Sequence, residues 1–98
     1  NIIDLVKTIR DIKNKDVDKS YTSLLLSGGL SKCIDKMEEE FSELKEALNE
    51  KSNIVHEAAD SIYHILVTLE AADVRFEDVL KELENRQKQS GIEEKNNR

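Results

Sequence analysis

The sequence predicts an all-α fold, a bundle of four to five helices, on three observations. The 98 residues contain no proline and three glycines, too few turn formers for a sandwich or a barrel. Leu, Ile, Glu and Lys make up a large share of the chain, and Leu, Glu and Lys are strong helix formers. Apolar residues recur three and four positions apart along several separate stretches, the spacing of one helix face. A chain of this length forms one domain, here 1–98, and a lone domain of this size buries a limited fraction of its surface. Self-association is therefore expected to help complete the bundle.

The elements follow in order. Ile2, Leu5, Val6, Ile9 and Ile12 define an amphipathic helix from residue 2 to about 14, ending in the polar stretch 14–19. Ser20 is placed to cap a short helical turn carrying Leu24, Leu25 and Leu26, which Gly28 and Gly29 end, because glycine takes the left-handed conformation cheaply. Along the next helix, Leu30, Ile34, Met37, Phe41, Leu44 and Leu48 alternate spacings of four and three, a seam expected to pack lengthwise against neighbours. Residues 49–53 break the pattern, and Asn53 is the expected N-cap of a second long helix reaching about Ala72. That helix, with Ile54, Val55, Ile62, Ile65, Leu66 and Leu69, is apolar nearly all round and is expected to be covered on several sides. A last helix from Phe76 to about Gln89 is expected to bury Phe76, Val79, Leu80 and Leu83. Residues 90–98 are polar and offer only Ile92 to bury, the composition of a tail without a fixed fold.

Composition also excludes classes of function. No apolar stretch approaches the roughly 20 residues that span a bilayer, and the start of the chain lacks a signal-peptide pattern, so a cytoplasmic protein without a membrane partner is expected. With one cysteine, Cys33, neither an internal disulfide nor a multi-cysteine zinc site can form; Cys33 reads as a small core residue. The formal charge of −6 is uneven: residues 37–80 carry twelve acids against three bases, and the flanks nine acids against twelve bases. Such an acidic centre repels a nucleic-acid backbone. No nucleic-acid partner is expected, and either metal binding or plain solubility accounts for the charge.

The acids have a pattern. On the first long helix Glu38, Glu39, Glu40, Glu43, Glu46 and Glu50 crowd together with only Lys45 among them, although like charges three and four apart destabilise a helix. At about 100° per residue, Glu40 falls beside the apolar stripe, with Glu43 and Glu39 fanning outward from it. On the second long helix Glu57, Asp60 and His64 lie within an arc of roughly 60° on an otherwise mostly apolar helix. Burying carboxylates without partners costs several kcal/mol, and the sequence supplies few nearby cations. Two antiparallel helices would let Glu40 and Glu43 converge with Glu57 and Asp60 into a nest of oxygen ligands. Such a nest suits a hard divalent ion, Mg2+ with Mn2+ as a substitute, over zinc. A solvated acidic face is the alternative.

The order E-x-x-E (Glu40, Glu43) then E-x-x-D (Glu57, Asp60) resembles the signature of the MazG-like all-α nucleotide pyrophosphohydrolases. Within that group, Ser20-Tyr21-Thr22, Lys36-x-x-Glu39-Glu40-x-x-Glu43, Glu57-Ala58-Ala59-Asp60-x-x-Tyr63-His64-x-Leu66-Val67 and Gly91-Ile92-Glu93-Glu94-Lys95-x-x-Arg98 resemble the phosphoribosyl-ATP pyrophosphohydrolase family, from about residue 20 onward. The resemblance implies a MazG-like bundle and a homodimer with its sites near the interface. It also implies Mg2+-assisted hydrolysis of phosphoribosyl-ATP to phosphoribosyl-AMP and pyrophosphate, a step of histidine biosynthesis. Glu39, Glu40, Glu43, Glu57 and Asp60 are the implied magnesium ligands. The chain departs from the family pattern at Glu38, where glycine is common, at Cys33, where an aliphatic residue is common, and at Arg75, where a capping Ser is common. At 98 residues with one cysteine, it reads as the form not fused to the zinc-dependent cyclohydrolase of the next step.

Individual roles follow from both lines. Glu40, Glu43, Glu57 and Asp60 are the expected metal ligands; Glu39 and Glu40 are the expected catalytic acids, Glu39 as a further ligand or as the base orienting water. His64, one turn beyond Asp60, is either a partner of a metal-bound carboxylate or a satisfied core histidine. His56 is expected to be exposed and without a role, and Tyr63 to sit in the core. Ser20, Tyr21, Thr22 and Lys36 are expected substrate contacts, with a surface ion pair the alternative for Lys36. The family match adds Lys95 and Arg98 to the substrate side. Two other functions remain open: a MazG-like (d)NTP pyrophosphohydrolase with the same acids, and a non-catalytic helical dimerisation module built on the Leu30–Leu48 seam.

Overall fold

A computed structural model describes residues 1–15 and 20–88; Lys95 and Arg98 lie outside the described residues. The described chain is all-α, with α1 (Ile2–Lys15), α2 (Tyr21–Ser27), α3 (Leu30–Glu50), α4 (Ile54–Ala71) and α5 (Phe76–Gln87). Local chemistry sets most boundaries. Ser20, in extended backbone, accepts a hydrogen bond from the Ser23 N–H at 3.2 Å, the side-chain cap its position predicts. Between α2 and α3, Gly29 takes φ +88°, a conformation other residues adopt only at a cost. At the α3–α4 turn Lys51 and Asn53 are both left-handed, φ 56° and 57°. Asn53 holds the cap position, but its side chain makes no cap bond: an N-cap oxygen reaches the first free N–H groups from extended backbone, not from this one.

The α3–α4 hairpin dominates the molecule. Ser61 Oγ donates to the Glu40 carbonyl at 3.3 Å, and Thr68 Oγ1 donates to the Cys33 carbonyl at 3.3 Å and to that of His64. These cross-links pair an advancing position on one helix with a receding one on the other, so the helices run antiparallel. The core lies toward the Ala71 end of α4, where Val6 and Ile9 of α1, Leu25 of α2 and Cys33 of α3 close on Leu66 and Val67. Cys33 is 1% exposed and its thiol donates to the Leu25 carbonyl; burial pushes its pKa up. An ion network absent from the sequence reading secures the same end. Arg10 donates to both oxygens of the buried Glu70 and both oxygens of Glu77, at 2.9–3.3 Å, while Lys13 bonds the Glu70 carbonyl and the Asp73 carboxylate.

Two packing expectations need correction. The Leu30–Leu48 seam is not the contact with α4. Cys33, Glu40 and Ala47 face that helix, while Leu30, Ile34, Phe41 and Leu48 are exposed. At about 100° per residue the seam is centred roughly 80° away from the true contact line, because small side chains at Cys33, Ala47 and Ser61 allow closer approach than the large ones of the seam. Within one chain α4 is covered on several sides, by α1, α2, α3 and α5, as its composition predicts. Ser61, His64, Thr68 and Glu70 are among its buried residues, whereas Val55 is 84% exposed. Leu83 is also exposed, since α5 meets α4 near its first turns, where Phe76 joins the core.

Because α3 and α4 run antiparallel, residues rotated the same way from the contact line on each helix share a face of the hairpin. Ile34, Phe41 and Leu48 on α3 fall with Val55 and Ile62 on α4 on one face; Glu43 and Asp60 fall on the opposite one. The hairpin thus has an apolar face and an acidic face.

Arg10 holds the Glu77 carboxyl at a pKa of about 2, by hydrogen bonding first. Since the folded value lies below the ordinary glutamate value of about 4.3, the network contributes stability above that value and loses it as pH falls toward about 2. Glu77→Gln is therefore expected to lower the denaturant midpoint at neutral pH, with the deficit closing by about pH 2. A deficit constant with pH would instead assign Glu77 a packing role.

Candidate active site

The hairpin register brings Glu43 level with Glu57 and Glu40 level with Asp60, because Glu40 lies opposite Ser61. Thirteen residues separate the two acid pairs, the length needed for α3 to finish, turn and return along α4 with the pairs in step. Glu40, Glu43 and Glu57 each bring a carboxylate oxygen within 4.8 Å of the other two. His56, Glu57 and Asp60 form a second such group, with His56 Nε2 3.3 Å from Asp60 Oδ2. Glu57 belongs to both groups, so the four acids form one continuous cluster.

The cluster is electrostatically uncompensated. Oε2 of Glu40 and Oε2 of Glu57 are buried and have no hydrogen-bond partner among the described residues. Burial is the main cause that pushes both carboxyls above the ordinary range. For Glu40, a hydrogen bond with Glu43 and the charges of Glu43 and Asp60 add to the rise, against an opposing pull from His64. For Glu57, Glu43 and Asp60 again add, and His56 opposes. A buried carboxylate oxygen without a donor is an expensive feature in a folded protein. The donor set is almost wholly carboxylate oxygen, which fits a hard divalent cation and not a thiol- or imidazole-seeking one.

The remaining expected residues divide. Glu39 is exposed and stands outside the Glu40–Glu43–Glu57 group, paired with Lys36 at 3.2 Å. His64 is buried, but its bond to Asp60 runs through the main chain: Nδ1 meets the Asp60 carbonyl at 2.9 Å and Nε2 the Tyr21 hydroxyl at 3.2 Å. A carbonyl only accepts, so Nδ1 carries a proton and donates it to the Asp60 carbonyl. His56 is exposed as expected, yet its ring lies on the Asp60 carboxylate. Ser20 caps α2, Tyr21 is half exposed, and Thr22 is buried with its hydroxyl bonded to that of Tyr63. Thr22 is thus held in packing by Tyr63.

Sequence reasoning missed the ring cluster that joins α2 to α4. Tyr21 stacks on Tyr63 with centroids 6.4 Å apart, and His64 meets both edge-on. The i, i+1 pair Tyr63-His64 was visible; that Tyr21 would close on it depended on the α2–α4 contact.

An all-α hairpin carrying E-x-x-E on one helix and E-x-x-D level with it on the next defines the class of all-α proteins with a carboxylate-lined site. Within it, the chain matches the phosphoribosyl-ATP pyrophosphohydrolase family over residues 2–87 and belongs to that family. It is 46% identical over 94 residues to the phosphoribosyl-ATP pyrophosphatase of Ruegeria pomeroyi, covering 94% of this chain and 90% of that protein. To the protein of the same name from Roseobacter denitrificans it is 46% identical over 96 residues, covering 96% and 91%. The one from Rhizobium etli is 37% identical over 100 residues, covering 100% and 94%.

The raised carboxyl of Glu40 makes a testable demand on stability. A folded pKa above the unfolded one penalises the fold at neutral pH; the penalty is absent below the ordinary value of about 4.3 and complete once pH exceeds the raised one. In EDTA, Glu40→Gln is expected to unfold at higher denaturant than wild type at pH 7, with the gap closing as pH falls to about 4. A variant less stable than wild type at pH 7 would reassign this carboxylate to a structural hydrogen bond.

Proposed function

We propose that the chain hydrolyses phosphoribosyl-ATP to phosphoribosyl-AMP and pyrophosphate in histidine biosynthesis, with Mg2+ held by Glu40, Glu43, Glu57 and Asp60 and Mn2+ as a substitute. The observation that carries the reading is the convergence of three carboxylates, two with buried unpartnered oxygens, in a chain of this family. Held by these carboxylates, Mg2+ would supply cationic charge to the phosphate oxygens and favour activation of the attacking water. Glu39, exposed at the edge of the cluster, orients the attacking water as base or serves as a further ligand. His64 and Tyr21 hold each other in place beside the acids. Ser20, Tyr21 and Lys36 border the open side and take the substrate, Lys36 by exchanging Glu39 for a phosphate oxygen. The family match adds Lys95 and Arg98 to the cations that meet substrate.

The chain works as a homodimer in the same reading. Phe41 at 41%, Leu48 at 52% and Val55 at 84% exposure lie on the apolar face of the hairpin, and a contiguous apolar face of this kind marks an interaction surface. A second hairpin supplies its complement through two-fold symmetry. Among the described residues, no helix is long and apolar enough to cross a membrane. A cytoplasmic site of action, without nucleic acid or membrane as partner, fits the acidic charge.

Pyrophosphate release from phosphoribosyl-ATP is expected with magnesium and lost in EDTA. Glu40→Gln and Asp60→Asn are each expected to lower kcat/KM by about a hundredfold or more while helicity persists. Faster turnover of deoxynucleoside triphosphates than of phosphoribosyl-ATP would replace the substrate, and magnesium-independent behaviour with unfolding of both variants would return the acids to a structural role.

Sedimentation measures the interface separately. Val55→Lys is expected to shift the protein from dimer to monomer, and a monomeric wild type would remove the interface.

A further inference from the structure

Beside the acids a second feature opens between α2 and the start of α3. It is a groove of about 340 Å³ walled by Tyr21, Leu24, Leu25, Gly28, Lys32 and Lys36, within the size range of small-molecule sites. The groove shares Tyr21 with the ring cluster, and its Lys36 pairs with Glu39, the neighbour of Glu40 in the chain. It therefore adjoins the acid site. Its composition differs from that site: the walls are largely apolar, Leu24 is 68% exposed, and the charges it offers are two ammonium groups one helical turn apart.

The two lysines are not equivalent. Lys36 is held by Glu39 at 3.2 Å. Lys32 makes no hydrogen bond or ion pair among the described residues. Gly28 explains how Lys32 lies. Its backbone, φ −75° and ψ −12°, is open to any residue, so glycine is not required there by conformation. A Cβ at position 28 would instead meet the Lys32 stem, 3.1 Å from Cγ, 3.2 Å from Cβ and 3.3 Å from Cδ. The absence of a side chain at Gly28 lets the lysine stem rest against the end of α2, on the groove wall.

We propose that this groove takes the adenine and phosphoribosyl end of the substrate, with Lys32 binding the terminal phosphate monoester and so selecting phosphoribosyl nucleotides over ordinary ones. The inference rests on the function proposed above. Phosphoribosyl-ATP differs from ATP by a second, phosphorylated ribose on the base. The triphosphate belongs with the acids and their cation, which leaves a purine in need of apolar surface and a phosphate monoester in need of a cation. Such a monoester carries about −1.5 to −2 charge near pH 7, and the acidic face repels it. A lysine with no competing carboxylate, set apart from the cluster, answers that need as a point charge.

The test compares product affinities by calorimetry in magnesium. Wild type is expected to bind phosphoribosyl-AMP about tenfold more tightly than AMP, one charge-assisted contact's worth. Lys32→Gln is expected to abolish that preference and leave AMP affinity unchanged, Lys32→Arg to keep most of it, and Gly28→Ala, which retains the charge but displaces the stem, to narrow it. Lys32 is exposed, so its variants are expected to keep the fold, and for Gly28→Ala only a flexible side chain must give way; circular dichroism checks all three. Equal weakening of both ligands in Lys32→Gln, a preserved preference, or no preference in wild type each overturns the proposal. Pyrophosphate release from phosphoribosyl-ATP by wild type is measured alongside. Its absence removes the proposed reaction, whereas the two-ligand preference still decides the role of Lys32.

Discussion

Close approach of α3 and α4 in one antiparallel register is the constraint on which the rest of the molecule depends. Cys33, Ala47 and Ser61 are small enough to let the two backbones meet, and the hydroxyls of Ser61 and Thr68 tie α4 to main-chain carbonyls of α3. Those bonds leave little freedom for the helices to slide. A shift of one helical turn would separate Glu43 from Glu57 and Glu40 from Asp60, and would cost both hydroxyl bonds at the same time. Packing thereby holds together side chains whose charges repel.

Stability and chemistry are divided along the length of the hairpin. At the Ala71 end of α4, three helices close an apolar core on it, and the charges there are neutralised with good geometry: Arg10 grips two carboxylates and Lys13 a third. Further along, the acids face outward with two buried oxygens left unpartnered. A paired, multiply bonded guanidinium adds to the fold, whereas buried like charges oppose it. The first end can hold the second in an unfavourable arrangement because both are parts of the same two helices. In the proposed function, a cation and the substrate's phosphates fill that deficit.

The two faces of the hairpin carry this division sideways as well. One bears the acids and, through Tyr21, adjoins the groove of Lys32 and Lys36; the other bears Phe41, Leu48 and Val55. One face carries unpartnered carboxylate oxygens and the other exposed apolar side chains. Tyr21 and His64 bridge α2 to α4, so the short helix that lines the groove is also joined to the helix that carries Glu57 and Asp60.

Much was legible from the sequence alone: five helical segments, the Ser20 cap, buried Cys33, and the grouping of Glu40, Glu43, Glu57 and Asp60. These follow from rules that act within a few residues, and from a loop short enough to force antiparallel helices. Helical periodicity orders residues around an axis, but it does not say which direction meets a neighbour. That is why the Leu30–Leu48 seam turned outward, why Leu83 stayed exposed, and why Asn53 sits at a cap without capping. The Arg10–Glu70–Glu77 network and the Tyr21–His64 bond join residues about 40 to 70 positions apart, so only packing could reveal them, because contact at that separation depends on where whole helices come to rest.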